Sequence, residues 1–250
     1  MKQSIANYYE QYWSSEGWLA ETSDRRFSDR LRGLIASAVT PRSRVLDAGC
    51  GDGGKYGTWL ADLAGEYRGV DISEQAAATA RGRDLNAVRV DDIADLPFED
   101  SSFDACVCIE VLEHLVFPLE CARELRRVLK PGGTLIVTVP NTTYWRRRID
   151  FALLGRWHPL GNPDGALHPW EDAHVRFFTR KTLERMLTNV GFETQVFGVG
   201  GSLFGDLPWV ARRFGTETMS KPFRFLEAIL PSLFGANLAA VGRKPEDAPQ

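Results

Sequence analysis

A glycine-rich segment preceded by an aspartate, VLDAGCGDGG at residues 45–54, has the composition of a cofactor-binding turn. Glycines let a buried strand turn tightly into a helix and let a ligand approach the bare backbone. Gly49, Gly51 and Gly54 fit the spacing of a dinucleotide fingerprint, and Asp71 follows Gly51 by 20 residues, as that fingerprint requires. One interpretation of the segment is therefore a nicotinamide- or flavin-dependent oxidoreductase.

Asp47 favours a different ligand. A carboxylate two residues before the first glycine would lie where a pyrophosphate binds and would repel it. The same carboxylate suits S-adenosyl-L-methionine, which carries an α-ammonium group and a sulfonium but no phosphate. Asp71, at the end of the next predicted strand, can accept hydrogen bonds from both ribose hydroxyls. These residues predict that the cofactor is S-adenosyl-L-methionine.

Catalytic candidates follow a later strand. Glu110, Glu113 and His114 have the i, i+3, i+4 spacing that places side chains on one face of a helix. His114 and Glu110 could help to remove the proton of a hydroxyl acceptor, and the three side chains together could bind a hard cation if further oxygen ligands were available. Alternatively, Glu113 caps a helix and Glu110 binds the methionine end of the cofactor. His174 is a third catalytic candidate, or it ties its segment to the core.

The elements that must position these residues alternate along the chain. A series of strands and helices between residues 44 and 140 predicts βαβ units and a parallel sheet, with every strand's carboxyl end at one edge. The predicted strands are Arg44–Ala48, Tyr67–Asp71, Val88–Val90, Phe103–Ile109, Thr134–Val139 and, later, Asn237–Val241. The predicted helices are Gly54–Ala64, Glu74–Arg83 and Pro118–Leu129, the last stopped by Pro131-Gly132-Gly133.

Six segments in this order resemble the class I S-adenosylmethionine-dependent methyltransferases, in the branch that includes the ubiquinone and menaquinone enzymes. They are LDAGCGDGG (46–54), GVDIS (69–73), DIADLPFEDSSFD (92–104), EVLEHL (110–115), LKPGGTLIVTVPN (129–141) and FFTRKTLERMLTNVGF (177–192). The resemblance implies an α/β, Rossmann-like fold. Its sheet has seven mostly parallel strands with helices on both faces, and the last strand is antiparallel.

The resemblance also assigns cofactor contacts by position. The methionine part is assigned Asp47, Gly49, Cys50 and Gly51, the ribose Asp71, the adenine Ile72, Asp92 and Ile93, and the sulfonium end Ile109 and Glu110. Tyr8, in an aromatic N-terminal segment, is a further candidate because it could close over the cofactor. Packing of the helix itself is an equally ordinary role for such an aromatic residue.

A narrower similarity concerns the region after the fifth strand. Residues 140–157, Trp170 and residues 174–179 are similar to that region in MetW-type proteins of methionine biosynthesis, which lack the Leu-Glu-His element found here at 112–114. This difference favours an active transferase that methylates an oxygen or nitrogen of a small molecule, such as a sugar, a quinone precursor or a lipid-linked metabolite. A non-catalytic, MetW-like accessory protein is the alternative.

Composition excludes some partners. The chain has 250 residues and a formal net charge of -3, and its only basic cluster is Arg146–Arg148, which could recognise an anionic acceptor or simply face solvent. Without a basic face, nucleic acid is not expected as a partner. The four cysteines lack the spacing of a zinc site or disulfide framework. No signal peptide or membrane span is recognisable, so we expect a cytoplasmic protein.

We expect one domain over residues 1–250. Residues 1–40 form a helical cap, 41–140 the cofactor-binding half, 141–175 and 200–235 lid or substrate insertions, and 244–250 a flexible tail. From Pro222, apolar residues recur at helical spacing among basic ones. This segment is interpreted as a helix that covers the sheet or forms a homodimer face. Alternatively, it is a lid that touches the inner face of a membrane.

Overall fold

Seven strands form one sheet in the computed structural model, which describes residues 2–14, 25–155, 173–200, 225, 226 and 228–246. The strand order is β3-β2-β1-β4-β5-β7-β6. Strands β1 to β5 pair in parallel, and β7 runs antiparallel to both β5 and β6. The predicted seven-stranded sheet with an antiparallel last strand is therefore confirmed. The strand bounds are β1 Arg44–Ala48, β2 Glu66–Asp71, β3 Ala87–Arg89, β4 Phe103–Ile109, β5 Leu129–Pro140, β6 Glu193–Val199 and β7 Asn237–Arg243.

Helices cover both faces of this sheet. The described helices are α1 Lys2–Ser14, α2 Arg25–Ala38, α3 Gly57–Leu63, α4 Glu74–Arg81, α5 Pro118–Val128, α6 Trp145–Leu154, α7 Arg180–Val190 and α8 Pro231–Phe234, with a short 3-10 turn at Leu112–His114. Successive residues of a strand point to opposite faces. Leu46 accordingly packs in the core that contains Leu125 of α5, whereas Val45 packs with Leu31 of α2 on the other side.

Helix α3 begins later than predicted. The sequence predicted a helix from Gly54, but the chain first makes a series of turns and becomes helical at Gly57. Gly49, Gly51 and Gly53 all have positive φ angles, between 55° and 82°. This backbone conformation is open to glycine at little cost but interrupts a helix. The extra turns lengthen the loop at the carboxyl end of β1, where a ligand can reach the backbone.

Helix α5 ends at Val128, before Pro131-Gly132-Gly133 as predicted, but β5 begins at Leu129 rather than at the predicted Thr134, so these three residues lie inside the strand. The pairing of β4 with β5 shifts register at this point, between Phe103 and Ala105. Gly132, at φ 76°, donates to the carbonyl of Lys244, and the Lys244 amide donates to Gly133 at 2.9 Å in each case. Lys244 is buried and its Nζ donates to the carbonyls of Arg126 and Leu129, so it belongs to the fold rather than to a flexible tail.

Several predicted features lie wholly or largely outside the described residues. They include Trp170, residues 156–172 of the first insertion and residues 201–224 of the second. In the described part of the second insertion, Phe225 and Ile229 are 66% and 57% exposed. None of the described helices combines the length and apolarity needed to cross a bilayer. The dimer face and the membrane-edge lid therefore stay predictions.

Asn141 joins the carboxyl end of β5 to the turn before β7. Its buried Nδ2 donates to the carbonyls of Ser232 at 3.0 Å and Gly235 at 2.7 Å, while its Oδ1 accepts from Thr143. Its backbone amide donates to the carbonyl of Ala236. One amide side chain thus holds together two segments that are about 90 residues apart.

We expect Asn141→Ala to lower the free energy of unfolding by about 2–3 kcal/mol, because it leaves buried carbonyl oxygens without donors. Urea unfolding followed by circular dichroism measures the change. Asn86 is exposed and serves as the matched control, so Asn86→Ala should change stability by less than about 0.5 kcal/mol. Equal effects of the two substitutions would contradict this role of Asn141.

Candidate functional site

The glycine-rich loop is held by the carboxylate of Asp71 at the end of β2. Asp71 Oδ2 accepts from the amide of Gly51 at 2.9 Å, and Oδ1 accepts from the amide of Ser73 at 3.0 Å. The amides of Gly49 and Cys50 both donate to the carbonyl of Val70. Asp71 therefore fastens the loop after β1 to the turn after β2, and each of its oxygens keeps a lone pair for a ligand.

Asp47 is more deeply buried than the sequence suggested. Its side chain is in the buried part of β1, at 4% exposure, and Oδ2 accepts a hydrogen bond of 2.9 Å from the Tyr67 hydroxyl. Burial raises the pKa of Asp47 to about 7, the hydrogen bond from Tyr67 opposes this rise, and the charge of Asp71 adds to it. Asp47 is therefore a buried acid at the base of the loop and not an exposed carboxylate.

Helix α1 lies across the glycine-rich loop. Glu10 accepts from the Ser73 hydroxyl at 2.7 Å and from the Gln75 amide at 3.1 Å, at the start of α4. The ring of Trp13 packs against Gly51 so closely that a Cβ added there would lie 2.7 Å from it. Glu10 was not singled out in the sequence, because its partners are more than 60 residues away and no local pattern marks them.

The aromatic residue that reaches the catalytic candidates is Tyr9. Its ring centroid is 5.9 Å from that of His114, with the rings nearly perpendicular. Tyr8, the predicted cofactor contact, is 37% exposed and packs against Tyr9, 5.2 Å between ring centroids. Of the two, Tyr9 is thus the residue that connects α1 to the site.

The other positions assigned to the cofactor stand at the same edge of the sheet. Cys50, Ile72, Asp92, Ile93 and Ile109 are all half-buried. They follow or end β1, β2, β3 and β4, as parallel topology requires. Asp92 Oδ1 accepts from the amide of Ala94 at 3.0 Å, which fixes the turn after β3. Ile109 and the glycine loop belong to neighbouring strands of the sheet.

The sequence predicted that Glu110 shares a helical face with Glu113 and His114, but in the structure it does not. It has a φ of 54°, and only Leu112–His114 form a 3-10 turn. The Glu110 amide donates to the Thr138 carbonyl, and Oε2 accepts from Asn237 Nδ2 at 3.0 Å, whereas the buried Oε1 has no donor among the described residues. Burial raises the pKa of this carboxyl. Asn237 is a partner that sequence spacing could not reveal.

Glu113, His114 and His174 form a compact cluster. Their potential ligand atoms lie within 4.8 Å of one another, and Nε2 of His114 and of His174 are 3.9 and 3.8 Å from Glu113 Oε1. Glu113 is 1% exposed, and among the described residues neither of its carboxylate oxygens accepts a hydrogen bond. The structure therefore groups His174, rather than Glu110, with the other two members of the suggested cation site.

The backbone of Glu113 brings His174 to this place. Its carbonyl accepts from the amides of Val175 and Arg176, both at 2.9 Å, while His114 Nδ1 lies 3.3 Å from the Ala173 carbonyl. Because a carbonyl only accepts, Nδ1 carries a proton in that contact, and a neutral His114 then has its lone pair on Nε2. Burial and the neighbouring Glu110 raise the pKa of Glu113 well above its usual range. A proton or a cation would relieve this buried carboxylate.

Residues 46–137 match the model of the methyltransferase domain family. A ubiquinone biosynthesis O-methyltransferase of Xanthomonas campestris is 38% identical over 120 residues, which are 46% of this chain and 50% of that protein. A Mycolicibacterium smegmatis protein named a probable S-adenosylmethionine-dependent methyltransferase is 37% identical over 153 residues, 60% of this chain and 52% of that protein. The chain thus spans about half the length of these curated relatives.

A solved structure shares the fold over nearly the whole length. An S-adenosylmethionine-dependent methyltransferase of Archaeoglobus fulgidus superposes with a TM-score of 0.59 at 22% identity, covering 94% of this chain and 98% of that one. At this identity the similarity supports the Rossmann-like fold alone. The match to the methyltransferase domain family includes the segment that carries the glycine fingerprint.

Asp47 should make stability depend on pH. In the folded protein the Asp47 carboxyl keeps its proton up to about pH 7, whereas in the unfolded chain it loses the proton near pH 3.8. The contribution of protonated Asp47 to the free energy of unfolding is therefore complete below about pH 4 and is lost as the pH rises to about 7. In urea unfolding at several pH values, Asp47→Asn should remove a decline of up to about 1.4 kcal/mol per pH unit across this window.

Asp104 provides a control of opposite sign. Partial burial raises the pKa of Asp104, but the Arg44 amide and the Lys130 ammonium lower it further, so that the net shift is downward. Its contribution is present above its unfolded pKa and lost in acid, so Asp104→Asn should flatten a rise of stability with pH instead. If both variants change the pH dependence in the same direction, the burial argument for Asp47 is wrong.

Proposed function

We propose that this chain, whose residues 46–137 match the methyltransferase domain family, is a class I S-adenosylmethionine-dependent methyltransferase that transfers a methyl group to an oxygen of a small-molecule acceptor. S-adenosyl-L-methionine is the cofactor and supplies the methyl group when bound. The observation that carries the proposal is the Glu113–His114–His174 cluster, which lies at the same sheet edge as the glycine-rich loop. An oxygen nucleophile needs its proton removed, and this cluster contains groups suited to that task.

The loop residues fit this cofactor better than a dinucleotide. Gly49 and Gly51 expose backbone at positive φ, and Asp71 has spare lone pairs for hydroxyl donors. Asp47 and Asp71 put carboxyl groups where the cofactor would bring an α-ammonium group and a sulfonium. These cations would favour the ionised carboxylates, whereas a pyrophosphate would be repelled. Ile72, Asp92 and Ile93 are placed for the adenine, and Tyr9 and Trp13 of α1 would shield the bound molecule from water.

Glu113, His114 and His174 are proposed to hold a divalent cation. A buried carboxylate that has no hydrogen-bond donor among the described residues, with two imidazoles about 4 Å away, has the donor set of a two-histidine, one-carboxylate site. Two nitrogen ligands favour a first-row ion such as Mn²⁺ or Zn²⁺ over Mg²⁺. When bound, such an ion would lower the pKa of an acceptor hydroxyl and stabilise its oxyanion. The carbonyl of Ala173 would orient the His114 ring for this role.

The protein itself would have two roles in methyl transfer, which are to position the reactants and to exclude water. In-line displacement at a sulfonium depends chiefly on positioning and on exclusion of water. Helix α1 and the segment 173–178 would supply both, since they pack over the loop and over Glu113. If the site works without a cation, His114 is the base that accepts the acceptor's proton, with buried Glu113 beside it to stabilise the imidazolium.

Removal of the buried carboxylate should abolish cation binding. We expect Glu113→Gln to weaken Mn²⁺ binding about 100-fold or more, measured by electron paramagnetic resonance of free Mn²⁺ or by calorimetry with Zn²⁺. Transfer of labelled methyl groups to small molecules of a cell extract should fall with it. Affinity for S-adenosyl-L-homocysteine should stay unchanged.

The matched control is Glu120→Gln, an exposed glutamate of α5 that pairs with Arg123 at 2.5 Å. It should affect neither metal affinity nor transfer. Wild-type protein that binds neither ion, and transfers methyl groups equally well in EDTA, would refute the cation and leave His114 as the base. No transfer to any extract, despite tight cofactor binding, would favour the accessory role of MetW-like proteins.

Asp71 is the residue whose loss should weaken the cofactor most. Asp71→Ala removes the acceptor of ribose hydroxyls and also releases the amides of Gly51 and Ser73. We expect calorimetry to show a loss of about 2–3 kcal/mol in S-adenosyl-L-homocysteine binding, roughly 30- to 160-fold in Kd. Asp91→Asn, at a side chain that is 85% exposed, is the control. Binding of NAD, with no response to S-adenosylmethionine, would instead support the oxidoreductase.

A further inference from the structure

Arg147 is a buried cation close to the proposed site. It lies in the first turn of α6 and is only 8% exposed, although arginine is one of the residues least often buried. Burial lowers the pKa of Arg147 to about 10, against the opposing influence of Glu110, so the side chain is still charged at neutral pH. Burying such a charge is costly unless an anion or several acceptors compensate it.

The compensation within the described residues is incomplete. Arg147 Nη1 donates to the carbonyl of Asn141 at 2.5 Å, which is the polar contact that the structure gives this side chain. Within the described part of the chain the buried Nε has no acceptor, and no carboxylate there forms an ion pair with the guanidinium. The next residue along the helix, Arg148, differs: it is exposed, and its Nε donates to the Thr143 carbonyl at 2.7 Å.

The fold places Arg147 beside the catalytic candidates. Asn141, which holds the guanidinium, directly follows β5 and pairs with Phe178, four residues after His174. The carboxyl end of β4, with Glu110, lies next to that of β5, since Ile109 pairs with Thr138. Arg147 is therefore at the edge where parallel α/β folds bind their ligands, on the β5 side of the glycine-rich loop.

We infer that Arg147 binds an anionic group, a carboxylate or a phosphate, on the methyl acceptor. The guanidinium offers a planar fork of donors that matches these groups, and its partial desolvation strengthens the contact. The inference rests on the proposed function, because it assigns the acceptor of that same site. The acceptor would then carry an anion at one end and its nucleophilic hydroxyl at the other.

A purely structural role of Arg147 would give a different result. If Arg147 only holds the Asn141 carbonyl, its replacement lowers stability but leaves no difference between charged and neutral ligands. The preference of the protein for an anion over a neutral analogue of the same shape is therefore the informative measurement. It does not depend on catalysis.

The experiment titrates benzoate, phenyl phosphate and neutral benzamide into the full chain saturated with S-adenosyl-L-homocysteine, at constant ionic strength and in EDTA, so that no ion at Glu113 can bind the anions. We expect the wild type to bind at least one of the anions about tenfold or more tightly than benzamide. The stronger anion identifies the group as a carboxylate or a phosphate. Arg147→Met should abolish the preference.

Arg148→Met is the matched control and should keep the wild-type preference, since this arginine is exposed on the same helix. Arg147→Lys keeps the charge but not the planar fork, and should retain part of the preference if Arg147→Met fails to fold. Benzamide binding as tightly as both anions, no binding of either anion, or a preference that survives in Arg147→Met would overturn the inference. Failure of the proposed function would appear separately, as absent S-adenosyl-L-homocysteine binding.

Discussion

Buried carboxyl groups at the carboxyl edge of the sheet are the constraint on which this site depends. Asp47, Asp71, Glu110 and Glu113 end or follow β1, β2 and β4, and burial raises the pKa of each. Their charges also act on one another, since Asp71 raises the pKa of Asp47 and Glu110 that of Glu113. Such groups are tolerated only where donors, protons or cations compensate them.

The hydrogen bonds that compensate these carboxyl groups differ along the edge, and the proposed role of each group differs with them. Asp71 is matched by two backbone amides and Asp47 by one tyrosine hydroxyl, which leaves these carboxylates organised for a cationic cofactor. Glu110 receives one amide from Asn237. Glu113 has no donor among the described residues, only two imidazoles at nearly 4 Å, so it has the greatest need for a cation. The carboxyl groups with hydrogen-bond donors are therefore proposed to bind the cofactor, and the one without a donor, Glu113, to bind a cation.

Much of the frame could be predicted from local sequence. Strands buried on both faces read as continuous apolar runs, so β1 and β4 were predicted with their observed bounds, and the antiparallel last strand followed from the family resemblance. The glycine-rich loop and Asp71 were found because their spacing reflects one βαβ unit, whose geometry is nearly invariant. Helix α5 ends where expected, but β5 begins at Leu129 rather than at the predicted Thr134, because hydrogen bonds of Gly132 and Gly133 with Lys244, just after β7, outweigh the local turn preference.

The amino-acid sequence by itself determined the fold class and placed the glycine-rich loop and Asp71 at one edge of the sheet, since these features depend on periodicity and short-range spacing. Only the tertiary structure decided which side chains meet there. It turned Glu110 away through a positive φ, brought His174 to Glu113 across about 60 residues, and buried Arg147 against Asn141. Contacts between distant segments depend on how packed helices and crossovers place them, and sequence separation carries no signal of that distance.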